Sequence, residues 1–223
     1  MKKYNLFSNY TNKKIKRISN QNYRTIKNKI ISTYKDKNFY DGLRINGYGG
    51  YYYDGRWKKY AKKIISRYKL NNKSKILHIN CEKGFLLNDI KDELPRIKIY
   101  GTENSKYAIS KSLKSVKQNI SYAKPTELPF KKNSFDFVLG IGVVYALSLT
   151  DIIRCLNEIK RVTKGNSFIN LASYDNVKDK ILFENWSLLG VSFFKEKEWL
   201  EILKHTKYTG DYYFTNAKSL GLK

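Results

Sequence analysis

Lys75-Ile-Leu-His-Ile-Asn-Cys-Glu-Lys-Gly-Phe-Leu-Leu87 is the stretch that decides the fold. Ile76, Leu77 and Ile79 make Lys75–Asn80 a strand that is apolar on both faces. Such a strand belongs in a sheet covered on both sides. A glycine-bearing turn follows, and Phe85–Leu94 reads as a helix.

Downstream, the alternation continues. Ile97–Glu103 is a strand, a helix runs from Ser105 to about Val116, and Asn119–Ala123 is a weak strand. Phe135–Val144 is a strongly apolar strand. Asp151 is placed to N-cap a helix carrying Ile152, Ile153, Leu156, Ile159 and Val162. Ser167–Ser173 is a strand, Val177–Leu189 and Lys195–Thr206 are helices, and Tyr208–Thr215 is a terminal strand. This order predicts an α/β fold: a doubly wound, mostly parallel sheet with helices on both faces.

Upstream, the pattern changes. Trp57, Tyr60, Ala61, Ile64, Ile65 and Tyr68 form one apolar helical stripe, with Lys58, Lys59, Lys62, Lys63 and Arg67 opposite. Residues 38–57 are rich in glycine and tyrosine, and glycines 42, 47, 49, 50 and 55 forbid a regular helix. Residues 1–35 are basic. Tyr23, Ile26, Ile30, Ile31 and Tyr34 recur at helical spacing, which predicts an arm packed on the rest. Before Tyr23 apolar residues are thin, and a frayed start is expected. The expected division is a basic helical arm and Gly/Tyr-rich loop over residues 1–57, then one α/β domain over 58–223.

The 223 residues carry 44 Lys+Arg against 19 Asp+Glu, a net charge of +25. Residues 1–75 hold 21 basic and 3 acidic side chains, so +18 of the excess lies in the first third. One reading is a surface for phosphate, in nucleic acid, membrane or substrate. The other is the codon bias of an AT-rich genome, in a chain rich in Lys, Asn, Ile and Tyr. The longest uncharged stretch, Phe137–Thr150, has 14 residues, short of the ~20 that span a membrane as helix. No apolar segment before residue 30 suits a secretory signal. Cys81 and Cys155 match no metal or redox spacing, so no metal is expected and a cytoplasmic setting fits. No helix-turn-helix, RNA-recognition or zinc-knuckle pattern is present.

The quoted stretch resembles the first motif of class I S-adenosylmethionine (SAM) methyltransferases, an acid followed by spaced glycines between strand and helix. Tyr100-Gly-Thr-Glu-Asn-Ser-Lys-Tyr-Ala-Ile is similar to the family's second strand with its acidic end. Thr126-Glu-Leu-Pro-Phe-Lys-Lys-Asn-Ser-Phe-Asp-Phe-Val-Leu resembles the signature before its fourth strand, and Asp151–Thr163 the helix after that strand. The likeness covers residues 75 to about 173. Residues 41–57 with Tyr208-Thr-Gly-Asp-Tyr also resemble a subgroup of bacterial small-molecule methyltransferases.

The resemblance implies a seven-stranded Rossmann-like sheet, SAM as cofactor and methyl transfer to a small molecule. It places His78, Asn80, Glu82 and Gly84 at the cofactor turn, where the family carries an acid and then glycines. Three of these four positions depart from that pattern. Glu103 falls where an acid accepts hydrogen bonds from the ribose hydroxyls. Lys124 replaces the residue facing the adenine edge, and Gly142 follows strand four at the cofactor. Tyr48, Tyr51, Tyr53, Asp54, Arg56 and Tyr145 are the substrate-side candidates. Tyrosine rings flank a sulfonium by cation–π attraction, and Arg56 suits a carboxylate or phosphate. His205, near a helix end, reads as a partner of the helix dipole. Methyl transfer is an in-line displacement whose chemistry lies in the cofactor, so no dedicated acid or nucleophile is demanded, and none is assigned. Two alternatives stand beside this reading. One is a degenerate, non-catalytic binding protein of the same fold, and the other a methyltransferase acting on nucleic acid.

Overall fold

The computed structural model describes residues 1–8, 17–20 and 22–223. At its centre lie β1 (Lys75–Ile79), β2 (Lys98–Glu103), β3 (Ile120–Tyr122), β4 (Phe135–Gly140), β5 (Thr163–Ala172) and β6 (Asp211–Thr215). They form one sheet in the order β3-β2-β1-β4-β5-β6, and every pairing is parallel. Among the described residues the sheet has six strands rather than seven.

The helices are α1 (Ile26–Thr33), α2 (Lys37–Tyr40), α3 (Lys58–Tyr68), α4 (Phe85–Glu93), α5 (Lys106–Ser110), α6 (Leu149–Val162), α7 (Val177–Trp186), α8 (Glu196–His205) and α9 (Ala217–Leu220). Two apolar layers sandwich the sheet. On one face Leu77, Ile79, Phe135 and Val138 pack with Ile152, Leu156 and Ile159 of α6 and Trp199 and Leu203 of α8. On the other, Ile76, Phe137 and Leu139 pack with Tyr60 and Ile64 of α3 and Leu86, Leu87 and Ile90 of α4. Strand residues alternate faces, so β1 and β4 feed both layers. That is why their sequences carry no polar face. Each buried Leu, Ile or Val contributes about 1.5–3 kcal/mol of transfer free energy, as an upper estimate. Trp199 is fully buried, and its indole N–H donates to Ala172 O at 2.7 Å.

Several boundaries differ from the sequence reading. The helix after β2 stops at Ser110 instead of reaching Val116, because the Leu113 N–H leaves the helical pattern for Lys83 O at 3.2 Å. The N-cap of α6 is Ser148, whose Oγ accepts the Asp151 N–H at 3.3 Å. Asp151 sits instead in the first turn, where the helix dipole favours an anion. In α8, His205 stands in the last turn, the end that favours a cation.

The expected frayed start falls partly on residues 9–16 and 21, outside the described residues. Within the described ones, the first residues are tied down. Tyr4 N donates to Tyr212 O at 2.8 Å, Tyr212 N donates to Lys2 O at 3.1 Å, and Leu6 is fully buried. The chain's own start thus covers the free edge of β6, which would otherwise offer unpaired backbone groups. The stripe on α1 faces the other way from the expectation. Ile26, Ile30 and Tyr34 are 78%, 52% and 70% exposed, while Ser32 is buried. Polar contacts seat this helix: Ser32 Oγ donates to Leu188 O at 3.3 Å and Lys29 Nζ to Glu184 O at 3.0 Å. No helix among the described residues is long and apolar enough to cross a membrane.

Candidate functional site

The strand order reverses direction between β1 and β4, and in such sheets the crevice at the carboxyl ends of the strands takes the ligand. The turn leaving β1 is built from left-handed residues: Asn80 at φ 50°, Glu82 at φ 55° and Gly84 at φ 76°. Asn tolerates that region. Glu82 does so at a cost of about 1–2 kcal/mol, offset by the bonds it makes. Its N–H donates to Glu103 Oε2 at 2.8 Å, and its carboxylate accepts the Tyr48 hydroxyl. Burial pushes the Glu82 carboxyl up from its ordinary pKa, the Tyr48 and Tyr51 hydroxyls oppose that, and the Glu103 charge adds to it.

Gly84 serves packing. Its Cβ, if present, would meet Val116 Cγ2 at 2.7 Å and Ile120 Cδ1 at 3.0 Å, so its small size seats α4 against the β3 side of the sheet. It does not line the cavity.

The Gly/Tyr-rich segment lies across this turn. Lys83 Nζ donates to both Asp41 oxygens, at 2.7 and 2.8 Å, and to Tyr51 O at 2.6 Å. The same ammonium lies 5.8 Å from the ring centroids of Tyr40 and Tyr51, within cation–π range. Tyr107 Oη donates to Asp41 as well, at 2.8 Å. Burial works against the Asp41 charge, but Lys83 and Tyr107 hold its carboxyl below the usual range. Tyr48 and Tyr51 stack at 4.3 Å between centroids, and Tyr51 packs on Phe85 at 4.8 Å. At Gly47 a Cβ would lie 1.9 Å from Phe39 O, so only glycine lets this loop fold back on α2.

Glu103 ends β2 fully buried. Its Oε1 accepts from Asn104 N and Ser105 N, both at 2.9 Å, and from Lys35 Nζ at 3.2 Å. Lys35 follows α1 and also donates to Asn104 Oδ1 at 2.6 Å. The acid expected to face a ribose is therefore capped by a lysine of the N-terminal segment, and it does not line the cavity.

The cavity itself holds about 1080 Å³, more than the ~300–1,000 Å³ of a single small-ligand site. His78, Asn80, Glu82, Gly142, Tyr48, Tyr51, Tyr145 and Arg56 line it. The structure thus brings together eight of the thirteen residues singled out from the sequence. Both ring nitrogens of His78 and the Oδ1 of Asn80 are buried without a hydrogen-bond partner. Burial drives the His78 pKa down to about 3, so the imidazole is neutral. Gly142, at φ 70°, donates its N–H to Asn170 Oδ1 at 2.6 Å. Burial and the Glu82 charge push Tyr145 up to about 12.

The other candidates lie elsewhere. Lys124 is exposed on the loop after β3, outside the lining. Tyr53 donates to the buried Asp89 at 2.5 Å, and that bond, with burial, pushes its hydroxyl up to about 12. Asp54 accepts from Arg56 Nε at 2.8 Å and Nη2 at 2.7 Å. Arg56 reaches the cavity wall carrying a carboxylate of its own. Sequence reasoning missed Lys35, Asp41, Lys83 and Asn170. Asp41 and Lys83 stand inside segments already quoted for other reasons, but nothing local marks them as partners. The Leu128-Pro-Phe signature is held from α6: Arg161 donates to Leu128 O at 2.9 Å and to Phe130 O at 2.6 Å.

Residues 77–170 match the family model described as a methyltransferase domain. The YcgJ protein from Bacillus subtilis aligns at a TM-score of 0.55 and 18% identity, over 66% of this chain and 66% of that one. A SAM-dependent methyltransferase from Aquifex aeolicus aligns at 0.50 and 19%, over 66% of this chain and 78% of that one. The (4+2)-cyclase SpnF aligns at 0.55 and 18%, over 67% of this chain and 57% of that one. No curated protein matches the sequence. The chain spans just under two thirds of the length of the YcgJ protein. At these identities the structural likeness is one of fold. Residues 77–170 are thus similar to a methyltransferase domain, and the fold is the Rossmann-like α/β fold of those structures. The methyltransferase resemblance read from the sequence is met by the domain match over residues 77–170.

Proposed function

We propose that the protein transfers a methyl group from SAM to a small-molecule acceptor within the cavity at the carboxyl edge of the sheet. One observation carries the reading. His78 and Asn80, at the end of β1, present buried polar atoms without partners in the wall of a cavity at the topological switch point. Buried polar groups are ordinarily satisfied, so these atoms fit a ligand that brings its own donors and acceptors.

The residues fit the methionine end of SAM. Glu82 supplies a half-buried carboxyl group for a cation, and the Tyr48 and Tyr51 rings beside it suit a sulfonium. Neutral His78 and Asn80 supply hydrogen bonds without adding charge. Glu103 is the ribose acceptor in this reading, with Lys35 drawn away on binding. When bound, SAM supplies an electrophilic methyl on sulfur. The protein holds the acceptor in line with it and excludes water, the latter through the segment that Asp41 and Lys83 clamp over the turn. The cavity's size leaves room for an acceptor beside the cofactor. The two buried free thiols fit a cytoplasmic setting.

The test is turnover. Purified protein incubated with methyl-labelled SAM and fractionated small molecules should release the demethylated cofactor with label moving to a small product. Cofactor binding without product from any fraction would favour the second reading, a binding protein that has kept the fold and lost the reaction. The seal of Lys35 on Glu103 is the observation on that side.

A further inference from the structure

Among the described residues, five cationic side chains line the cavity, Arg17, Arg24, Lys35, Arg44 and Arg56, against one carboxylate, Glu82. Lys35 is matched by Glu103 and Arg56 by Asp54. Among the described residues, none of Arg17, Arg24 and Arg44 forms an ion pair. These three also meet around a small recess closed by Trp186.

Arg24 is the unusual member. It is only 7% exposed. Nη1 donates to Trp186 O, Nη2 to Arg44 O at 3.4 Å, and Nε is buried without a partner. Burial lowers its pKa to about 10, and the nearby Arg44 charge adds to that. Arg44 commits Nη1 to Gly47 O at 2.8 Å and Tyr48 O at 3.2 Å, and Arg17 commits Nη1 to Leu220 O at 2.8 Å. Backbone carbonyls orient the guanidiniums without neutralising them. Burying an arginine beside a second one, with no acid for either, is costly unless a ligand brings the negative charge.

We propose that this corner of the cavity binds an oxyanion group, carboxylate or phosphate, through Arg24 and Arg44 with Arg17 beside them, and that the methyl acceptor carries that group. The anion site rests on the arginines alone. Its assignment to the acceptor rests on the methyl-transfer reading. A planar guanidinium fork matches either oxyanion in two-point contact, and a desolvated one binds it more strongly than a surface lysine does. The acceptor class is thus an acidic small molecule. Arg24 and Arg44 take the role that the sequence alone suggested for Arg56.

The test titrates inorganic phosphate, and separately acetate, into the full-length protein at fixed ionic strength, followed by calorimetry and by the fluorescence of Trp186 against a Trp186→Phe control. Saturable binding of one or both is expected, weakened about tenfold or more in Arg44→Gln and less in Arg44→Lys. Lys62→Gln, an exposed charge on α3, should change nothing. The stronger of the two ligands identifies the oxyanion. Arg24→Gln repeats the test where it folds, and Arg44→Gln carries it otherwise. Binding of neither anion, or equal loss in Lys62→Gln, would overturn the site and show only diffuse attraction to a basic protein. SAM is titrated into the same samples. Anion binding without SAM binding would keep the site and sink the methyl-transfer reading. SAM binding without anion binding would do the reverse.

Discussion

Lys35 Nζ lies 3.2 Å from Glu103 Oε1, and the two side chains are 16% and 0% exposed. They join the segment after α1 to the end of β2 across 68 residues of sequence. With Asp41–Lys83 and Tyr48–Glu82, this gives three of the polar links between the N-terminal segment and the carboxyl edge of the sheet. Two of the three use residues of the turn after β1, Glu82 and Lys83. Glu82, a departure from the glycine pattern there, is thus used to hold the segment that covers the turn.

The Lys35 link makes a prediction for affinity. Glu103 offers about four lone-pair sites and accepts four hydrogen bonds. Three of these fall on Oε1, so on the proposed reading a ribose hydroxyl that bonds Oε1 would compete with Lys35. Lys35→Met should tighten SAM binding about three- to tenfold while lowering the stability of the free protein by about 1–3 kcal/mol. Calorimetry and thermal melts check this pair of effects. Weaker SAM binding in the variant would show that Lys35 assists the cofactor.

Gly84→Ala should destabilise by about 2–4 kcal/mol, from the left-handed φ and the overlap with Val116. Val116→Ala should recover part of that loss in the double variant, because the two side chains share one space. Denaturant unfolding measures the cycle. Full additivity would contradict the packing role.

Stability should also fall in acid through His78. Its folded pKa is near 3 against an ordinary 6.5. Between those values the unfolded chain binds the proton and the folded one does not. Stability attributable to His78 is therefore lost as pH falls from about 6.5 toward 3, by up to roughly 5 kcal/mol. Glu82, with its pKa raised, contributes in the opposite direction, so the comparison needed is with His78→Gln. That variant should show a flatter acid limb in pH-dependent unfolding. An unchanged limb would mean that His78 is protonated in the folded protein.

Both thiols should be silent in the native state. Burial pushes Cys155 up to about 12 and raises Cys81 well above its usual range. Thiolate, the reactive form, is scarce at neutral pH. Labelling by a thiol reagent should follow global unfolding in denaturant. Fast labelling of either cysteine in native buffer would contradict this burial.

The framework of the fold was legible because it rests on local pattern. The strands at Lys75, Lys98, Phe135 and Thr163 are written in apolar runs, and glycine marks the turn after β1. The sheet's six strands were each visible, although the family likeness implied seven. The site was legible only in part. His78, Asn80, Glu82 and Gly142 were singled out by position relative to the strands, and the structure places all four in the lining of the cavity. Lys35 and Lys83 were missed because their partners are far off in sequence, at separations of 68 and 42 residues. Arg56 was singled out from the aromatic segment, whereas nothing local marks Arg24 or Arg44 as facing a cavity. The carboxylate partner of Arg56, Asp54, is two residues away and equally visible. The stripe on α1 misled because apolar periodicity gives a face without saying what it meets. Here Ile26, Ile30 and Tyr34 meet solvent.

The central proposal is that the cavity beneath the N-terminal segment is a SAM site whose cation is met by Glu82. Calorimetric titration of SAM and of its demethylated product, into the wild type and into Glu82→Gln, tests it most directly. The account predicts wild-type binding in the micromolar range, about −8 kcal/mol. The cationic cofactor should lose about tenfold or more in Glu82→Gln, and the uncharged-sulfur product should lose less. No wild-type binding at millimolar ligand, or equal loss for both ligands, would contradict it.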